Sequence, residues 1–398
     1  MTSRTRYSQR WILLLAVAWG CADRPTESPS LRPAAAQRDV VKFWEATAST
    51  RWNQRATVLV TQRPPANPQA AVSRILTYLS LAQYRAVLAA EAGKAKSMHP
   101  SVSAAVGGAS AAVLKSFFPL DATTIEGQLA DDLASPGWPG EKNDDAAAGE
   151  TIGRAVGAEV LAMAATDNYF VLNPGAPPVG PGYWVSSPAA IVRGLHGTRP
   201  FFLTAANQLR PEPPPVFGSP AFLIALAEIR TISDTRTAEQ LAIAQFYNWS
   251  SGAFTMGNLN VIADRIIVDH HRTEREAARI LTVANAAAFD AGIACFDAKF
   301  AYWFIRPSQA DPAITLPIGL PNHPSYPSGH SCITSAFTTV LMDELPSERP
   351  ALQEILTNAG LSRMYGGIHY RFDIEAGQAI GRGAAALAIA GSRQLFDH

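Results

Sequence analysis

Apolar side chains recur every three or four residues along most of the 398-residue chain, the repeat that places them on one side of an α-helix. The pattern predicts helices over 39–50, 69–92, 100–117, 144–167, 219–233, 237–249, 256–270, 272–305, 331–345, 349–360 and 374–389. The first four are rich in alanine, which favours helix and lets neighbouring helices approach closely. Alternating runs of Val, Ile and Thr are scarce, so the expected fold class is all-α, a helical bundle. One stretch breaks the pattern. Between Val171 and Pro215 stand Pro174, Gly175, Pro177, Pro178, Gly180, Pro181, Gly182, Pro211 and Pro213 to Pro215, residues that do not sit inside helices. An irregular crossing of that length is expected to cover or build a cleft, with Tyr183, Trp184, Phe201 and Phe202 anchoring it to the core. A second Pro-rich turn leads from Pro307 to Pro327.

The amino-terminal residues follow another pattern. Arg4, Arg6 and Arg10 precede an apolar run from Trp11 to Trp19 that is short for a bilayer anchor, and Gly20-Cys21 ends it, the layout of an export signal. Ala18-Trp19-Gly20-Cys21 resembles the lipobox of bacterial lipoproteins, whose Cys is lipidated and becomes the first mature residue. An ordinary secretory signal is the alternative. The expected organisation is a signal over 1–21, a tether over 22–37 and one large helical domain over 38–398, exported to the periplasmic side and held by a lipid anchor at the outer membrane.

Composition narrows the function. With 47% hydrophobic and 17% charged residues, the chain is neither disordered nor fibrous. Thirty-three basic residues balance 33 acidic ones, so no overall field favours nucleic acid. Cys21, Cys295 and Cys332 are too few for a disulfide framework and form no CxxC pair for thiol chemistry or zinc. Cys295 and Cys332 flank the candidate site described next and are expected to be buried free thiols, the alternative being a disulfide between them, which export would permit.

Three elements carry candidate chemistry. Lys299 and Arg306 are seven residues apart on the predicted helix ending at Pro307, which would put both on one face among apolar Phe296, Phe300, Trp303 and Phe304. Charges in such surroundings need a counter-anion. Pro327-Ser328-Gly329-His330 precedes a helix, so a hydroxyl and free first-turn amides are available to an anion, or Ser328 serves as an ordinary cap. His323 lies seven residues earlier in the same turn. Ser362-Arg363 is followed by His369 and Asp373, spaced so that on a helix the carboxylate would hold one ring nitrogen protonated.

Together these segments, KFAYWFIRP from Lys299 to Pro307, PSGH from Pro327 to His330 and SRMYGGIHYRFD from Ser362 to Asp373, closely resemble the signature of the type 2 phosphatidic acid phosphatase (PAP2) superfamily. Vanadium-dependent haloperoxidases and bacterial acid phosphatases share it, and the length of the chain favours the haloperoxidases. The resemblance implies a vanadate cofactor, or phosphate in the same site. His369 would bind vanadium, Lys299, Arg306, Arg363, the Ser328 hydroxyl and the Gly329 N–H would hold its oxygens, His330 would act as acid and base, and Asp373 would orient His369. Hydrogen peroxide and a halide would be the substrates. His323 resembles the algal bromoperoxidase pattern and Phe296 replaces a Trp of the chloroperoxidases, so bromide or iodide is expected before chloride. The alternative implied is a periplasmic acid phosphatase acting on phosphate monoesters through a phosphohistidine. A non-catalytic oxyanion-binding lipoprotein is a third reading, disfavoured by the intact His330 and Asp373.

Overall fold

The computed structural model describes residues 47–396 apart from 95–98, 135–140, 142–143, 171–173 and 188–190. The expected signal, the tether and most of the helix predicted over 39–50 lie outside the described residues, as does Cys21. All the described residues fall within one unit, 32–398.

The helices are α1 Ala48–Gln62, α2 Pro68–Lys94, α3 Val102–Phe117, α4 Ala122–Ala134, α5 Ala146–Ala165, α6 Pro220–Thr235, α7 Ala238–Phe246, α8 Phe254–Asp269, α9 Glu274–Tyr302, α10 Pro307–Ala310, α11 Gly329–Glu344, α12 Arg349–Tyr365 and α13 Arg371–Phe396. Among the described residues the only extended pairing is two isolated bridges, so the all-α expectation holds. Local chemistry sets many of the ends. Thr47, Ser101, Asp145 and Ser219 cap their helices through side-chain oxygens, and Thr237 with Gln240 and Thr273 with Glu276 form reciprocal capping boxes.

The first described helix, α1, runs to Gln62, twelve residues past the predicted end at Thr50. Its apolar stripe is hidden because Ser49, Thr50, Arg51, Asn53 and Thr57 are buried polar residues with partners inside the fold. Asn53, for example, donates to Asp264 and to Asn260 on α8. The pattern also misses α4, whose inward face amounts to Ile125, Leu129 and Asp132, the last paired with Arg55 of α1.

At the centre lies α9, buried from Ala277 nearly to its end. It is long and apolar enough to cross a membrane by length and composition, yet α2, α11 and α13 pack around it, the position of a core helix. Small residues set the closest approaches. A Cβ added at Gly153 of α5 would lie 1.9 Å from the Ala105 carbonyl oxygen of α3. Added at Gly377 or Gly381 of α13, it would lie 2.7 Å from Ser328 O or 2.5 Å from Cys332 O at the start of α11.

The Pro/Gly-rich crossing is fastened at two places. Asp290 of α9 accepts the backbone N–H groups of Phe201, Phe202 and Leu203 at 2.7–3.0 Å. Without that carboxylate each buried amide left unpaired would cost about 1–3 kcal/mol. Burial still dominates at Asp290 and raises its carboxyl to about 6. Farther along, Trp184 N donates to Trp303 O and Ile305 N donates to Gly182 O, while the Trp184 and Trp303 rings stack at 6.2 Å. Phe201 packs edge-on against Tyr78 and Phe289 as an anchor, whereas Tyr183 is 40% exposed.

Candidate active site

The pairing with the crossing explains a departure from the predicted geometry of Lys299 and Arg306. Helix α9 stops at Tyr302, and Trp303 takes a left-handed conformation, φ 49°, with its N–H on Lys299 O. Residues 303–305 then run against the crossing, so Arg306 is not on the same helix as Lys299 but caps α10. Both side chains nevertheless turn inward and are fully buried.

Lys299 Nζ donates to the carbonyls of Pro324, Ser325 and Pro327 at 2.8, 2.8 and 2.5 Å, which engages all three of its protons and fixes the turn leading to α11. Arg306 donates to His323 O, to Ile368 O, to His323 Nδ1 at 3.1 Å and to His369 Nε2 at 3.1 Å. Arg363, on the last turn of α12, donates to the Ser362 hydroxyl and to Tyr247 O. Ser328 is the cap of α11, its oxygen accepting from Ser331 N and from the Ser331 hydroxyl. The amides of Gly329 and His330 belong to the first turn and have no intrahelical partner there, which turns the positive end of the helix toward the site.

His369 precedes α13 rather than lying on it, so the His369–Asp373 pair does not use helical spacing as the sequence predicted. The bond forms all the same. His369 Nδ1 meets Asp373 Oδ2 at 2.7 Å, and the same oxygen accepts from the Ser325 hydroxyl at 2.5 Å and from Tyr370 N. A carboxylate accepts only, so Nδ1 carries the proton and Nε2 keeps its lone pair, which agrees with Arg306 donating to Nε2. Ser328 N donates to Asp373 O, joining the starts of α11 and α13.

Burial governs the electrostatics. It lowers Lys299 to about 8, Arg306 to about 10 and Arg363 to about 9, the last also by repulsion from Arg306. The same burial raises Asp373 to about 6. His323, His330 and His369 are driven well below the ordinary histidine value by burial and by the neighbouring cations, so the imidazoles are neutral at pH 7. Three cationic side chains thus face one carboxylate across a buried cluster, leaving two positive charges for an anion to neutralise.

A cavity of about 480 Å³ opens at this cluster. Gly329, His330, Arg363 and His369 line it, together with His323 and Phe296, whose rings meet edge to face at 5.3 Å. Lys299, Arg306, Ser328 and Asp373 are fully buried and do not line it. Cys295 and Cys332 are buried free thiols beside the same helices, as expected. Among the described residues no cluster of three or more His, Cys, Asp and Glu forms a cation-binding set.

Several lining residues were not legible in the sequence. Thr255 Oγ1 lies 3.3 Å from His330 Nε2, and the Trp249 ring stacks on His330 at 6.3 Å. Gln69, at the start of α2, donates to Trp249 O at 2.7 Å and accepts from Thr255 N at 3.2 Å. These contacts join positions 75 to 186 residues apart, with no local spacing to announce them.

Comparisons with known proteins agree with this arrangement. Residues 278–396 match the PAP2 superfamily. A structure reported as the first bacterial vanadium-dependent iodoperoxidase superposes with a TM-score of 0.73 at 23% identity, covering 87% of this chain and 96% of that one. The holo-type bacterial vanadium-dependent chloroperoxidase gives 0.67 at 15% identity, covering 84% and 94%, and the apo-type structure 0.66 at 15%, covering 85% and 97%. No curated protein matches in sequence. Residues 278–396 therefore belong to the PAP2 superfamily, and the chain around them has the fold of the vanadium-dependent haloperoxidases.

Proposed function

We propose that the chain is an exported vanadium-dependent haloperoxidase that oxidises bromide or iodide with hydrogen peroxide. The observation that carries this reading is a cavity wall bearing Arg363 and two neutral imidazoles, with Lys299 and Arg306 buried behind it and a surplus of two positive charges in the cluster. A cationic cluster with a histidine lone pair suits a tetrahedral oxyanion, and vanadate and phosphate share that shape.

Arg363, the Gly329 N–H and His369 Nε2 line the cavity and would meet vanadate directly, His369 Nε2 as the vanadium ligand; Lys299, Arg306 and the Ser328 hydroxyl lie behind that wall and would hold its oxygens on exchanging their present carbonyl, imidazole and Ser331 partners for them. When bound it would supply an electrophilic centre at which peroxide becomes reactive toward halide. The remaining work falls to the chain. Asp373 keeps the proton of His369 on Nδ1 and so keeps Nε2 available. His330, neutral and on the cavity wall, would take the proton that incoming peroxide gives up and hold it for return as an acid. His323 and Phe296 form the part of the wall where a polarisable halide would pass. Removing one charged clamp would cost about 2–4 kcal/mol of transition-state stabilisation.

The test is reconstitution of the purified chain with orthovanadate, followed by peroxide-dependent bromination of an activated diketone and oxidation of iodide. Turnover above a His369→Ala control supports the reading, and turnover equal to that control defeats it. Phosphate release from an aryl phosphate without vanadate would assign the acid phosphatase activity instead. Tight phosphate binding with neither activity would assign a binding protein. Lipid attachment at Cys21, measured by mass spectrometry of the mature amino terminus, tests the proposed anchor.

A further inference from the structure

His330 and His369 have different second partners. The partner of His369 is a carboxylate, which pins a proton on Nδ1. The hydrogen-bond partner of His330 Nε2 is the hydroxyl of Thr255, a residue 1% exposed at the start of α8. Both Thr255 and His330 line the cavity. A hydroxyl donates to a ring nitrogen that holds a lone pair and accepts from one that holds a proton, so it can orient an imidazole in either state without adding charge. The place of Thr255 is itself determined. Gln69 clips the segment from both ends, through Trp249 O and Thr255 N, and Trp249 covers one face of the His330 ring.

We propose that Thr255 is the positioning residue of the proton-transfer histidine, its hydroxyl holding His330 Nε2 toward the cavity. The inference rests on the proposed role of His330 but applies equally to peroxide and to phosphate-ester chemistry. In the waiting state the Thr255 hydroxyl donates to the Nε2 lone pair. When Nε2 takes a proton from substrate, the hydroxyl releases that lone pair and turns so that its oxygen accepts a hydrogen bond from the new N–H, and the ring stays in place. Neither half of this exchange involves the hydrogen bonds of Arg363 or His369.

The experiment uses the full chain with histidine labelled by nitrogen-15, the His330 resonances being assigned by their loss in a His330→Gln variant. Thr255→Val, nearly isosteric but without the hydroxyl, is expected to shift the His330 Nε2 resonance at fixed pH. It is also expected to lower kcat about 3- to 10-fold, the worth of one neutral hydrogen bond. KM for peroxide and affinity for vanadate should stay within about twofold, because the anion clamp is intact. Thr255→Ser restores both the resonance and kcat. Wild-type resonances and kcat in Thr255→Val, or failure of Thr255→Ser to restore them, overturn the proposal. If Thr255→Val does not fold, Thr255→Ala gives the same comparison. A chain with neither peroxidase nor phosphatase turnover defeats the proposed function, and the resonances then decide the role of Thr255 alone.

Discussion

The two histidines at the cavity are both neutral, His369 buried and His330 half-buried, and the structure around each is organised differently. His369 is tied to Asp373, and through it to Ser325, Tyr370 N and the start of α13, while Arg306 addresses its other nitrogen. All of those partners lie within the carboxy-terminal hundred residues. His330 rests on Trp249 and Thr255, which Gln69 of α2 holds in place. A carboxylate partner commits a histidine to one tautomer and strengthens it as a ligand or nucleophile. A hydroxyl partner leaves it free to change protonation. Under the proposed function, that difference assigns binding to His369 and proton transfer to His330.

That comparison can be broken most decisively by removing each ring. His369→Ala is expected to reduce turnover to the uncatalysed level and to abolish tight vanadate binding. His330→Ala should lower kcat about 10²- to 10⁴-fold and leave vanadate affinity within a few-fold, as read by calorimetry beside steady-state kinetics. Equal loss of affinity in both variants would erase the division. Next in size, Asp373→Asn should weaken vanadate binding about 10- to 100-fold by removing the carboxylate that holds Nδ1–H, whereas a His330 variant has no such effect.

The cations sharpen the binding half of the comparison through pH. Burial places Lys299 at about 8, so its charge is present below that pH and lost above it. Phosphate affinity, measured where phosphate is already a dianion, should fall by up to about tenfold from pH 8 to pH 9. Lys299→Met should bind more weakly at pH 7.5 and lose most of this fall, keeping only the roughly twofold part that Arg363, at about 9, contributes; a variant with the full wild-type fall would exclude Lys299 from the anion field. The smallest effect expected is at the stacked ring. Trp249→Leu should reduce kcat about 2- to 10-fold, the worth of an aromatic contact, with vanadate affinity unchanged.

Much of the His369 half was legible in the sequence, because its polar residues recur at short, fixed spacings between Lys299 and Asp373. The spacings were informative for reasons other than those the sequence first implied. Seven residues from Lys299 to Arg306 did not describe one helical face, and four from His369 to Asp373 did not describe a helical turn. Each is the length of chain needed to leave a helix end, or enter one, with both side chains pointing inward. The His330 half was largely hidden. Thr255, Trp249 and Gln69 carry no charge and form no local motif, and only the packing of α2 and α8 brings them to α11. The long crossing was visible as a break in periodicity, but the Asp290 carboxylate that fastens it sits inside an apolar helix where the pattern gives no hint of three waiting amides. Buried polar residues concealed α1 for the same reason: a hydrogen-bonded Asn or Thr fills a core position as well as a Leu does, without the hydropathy that marks it.

The missing side chains at Gly377 and Gly381 act as a spacer of zero thickness. They let α13 rest on the backbone of α11 where Ser328 begins the helix and Cys332 follows one turn later. A single methyl group at either position would wedge the two helices apart and strain the bond from Ser328 N to Asp373 O that joins their starts. The spacing of the candidate site is therefore metered by two absences on a helix that brings only its opening turn to it.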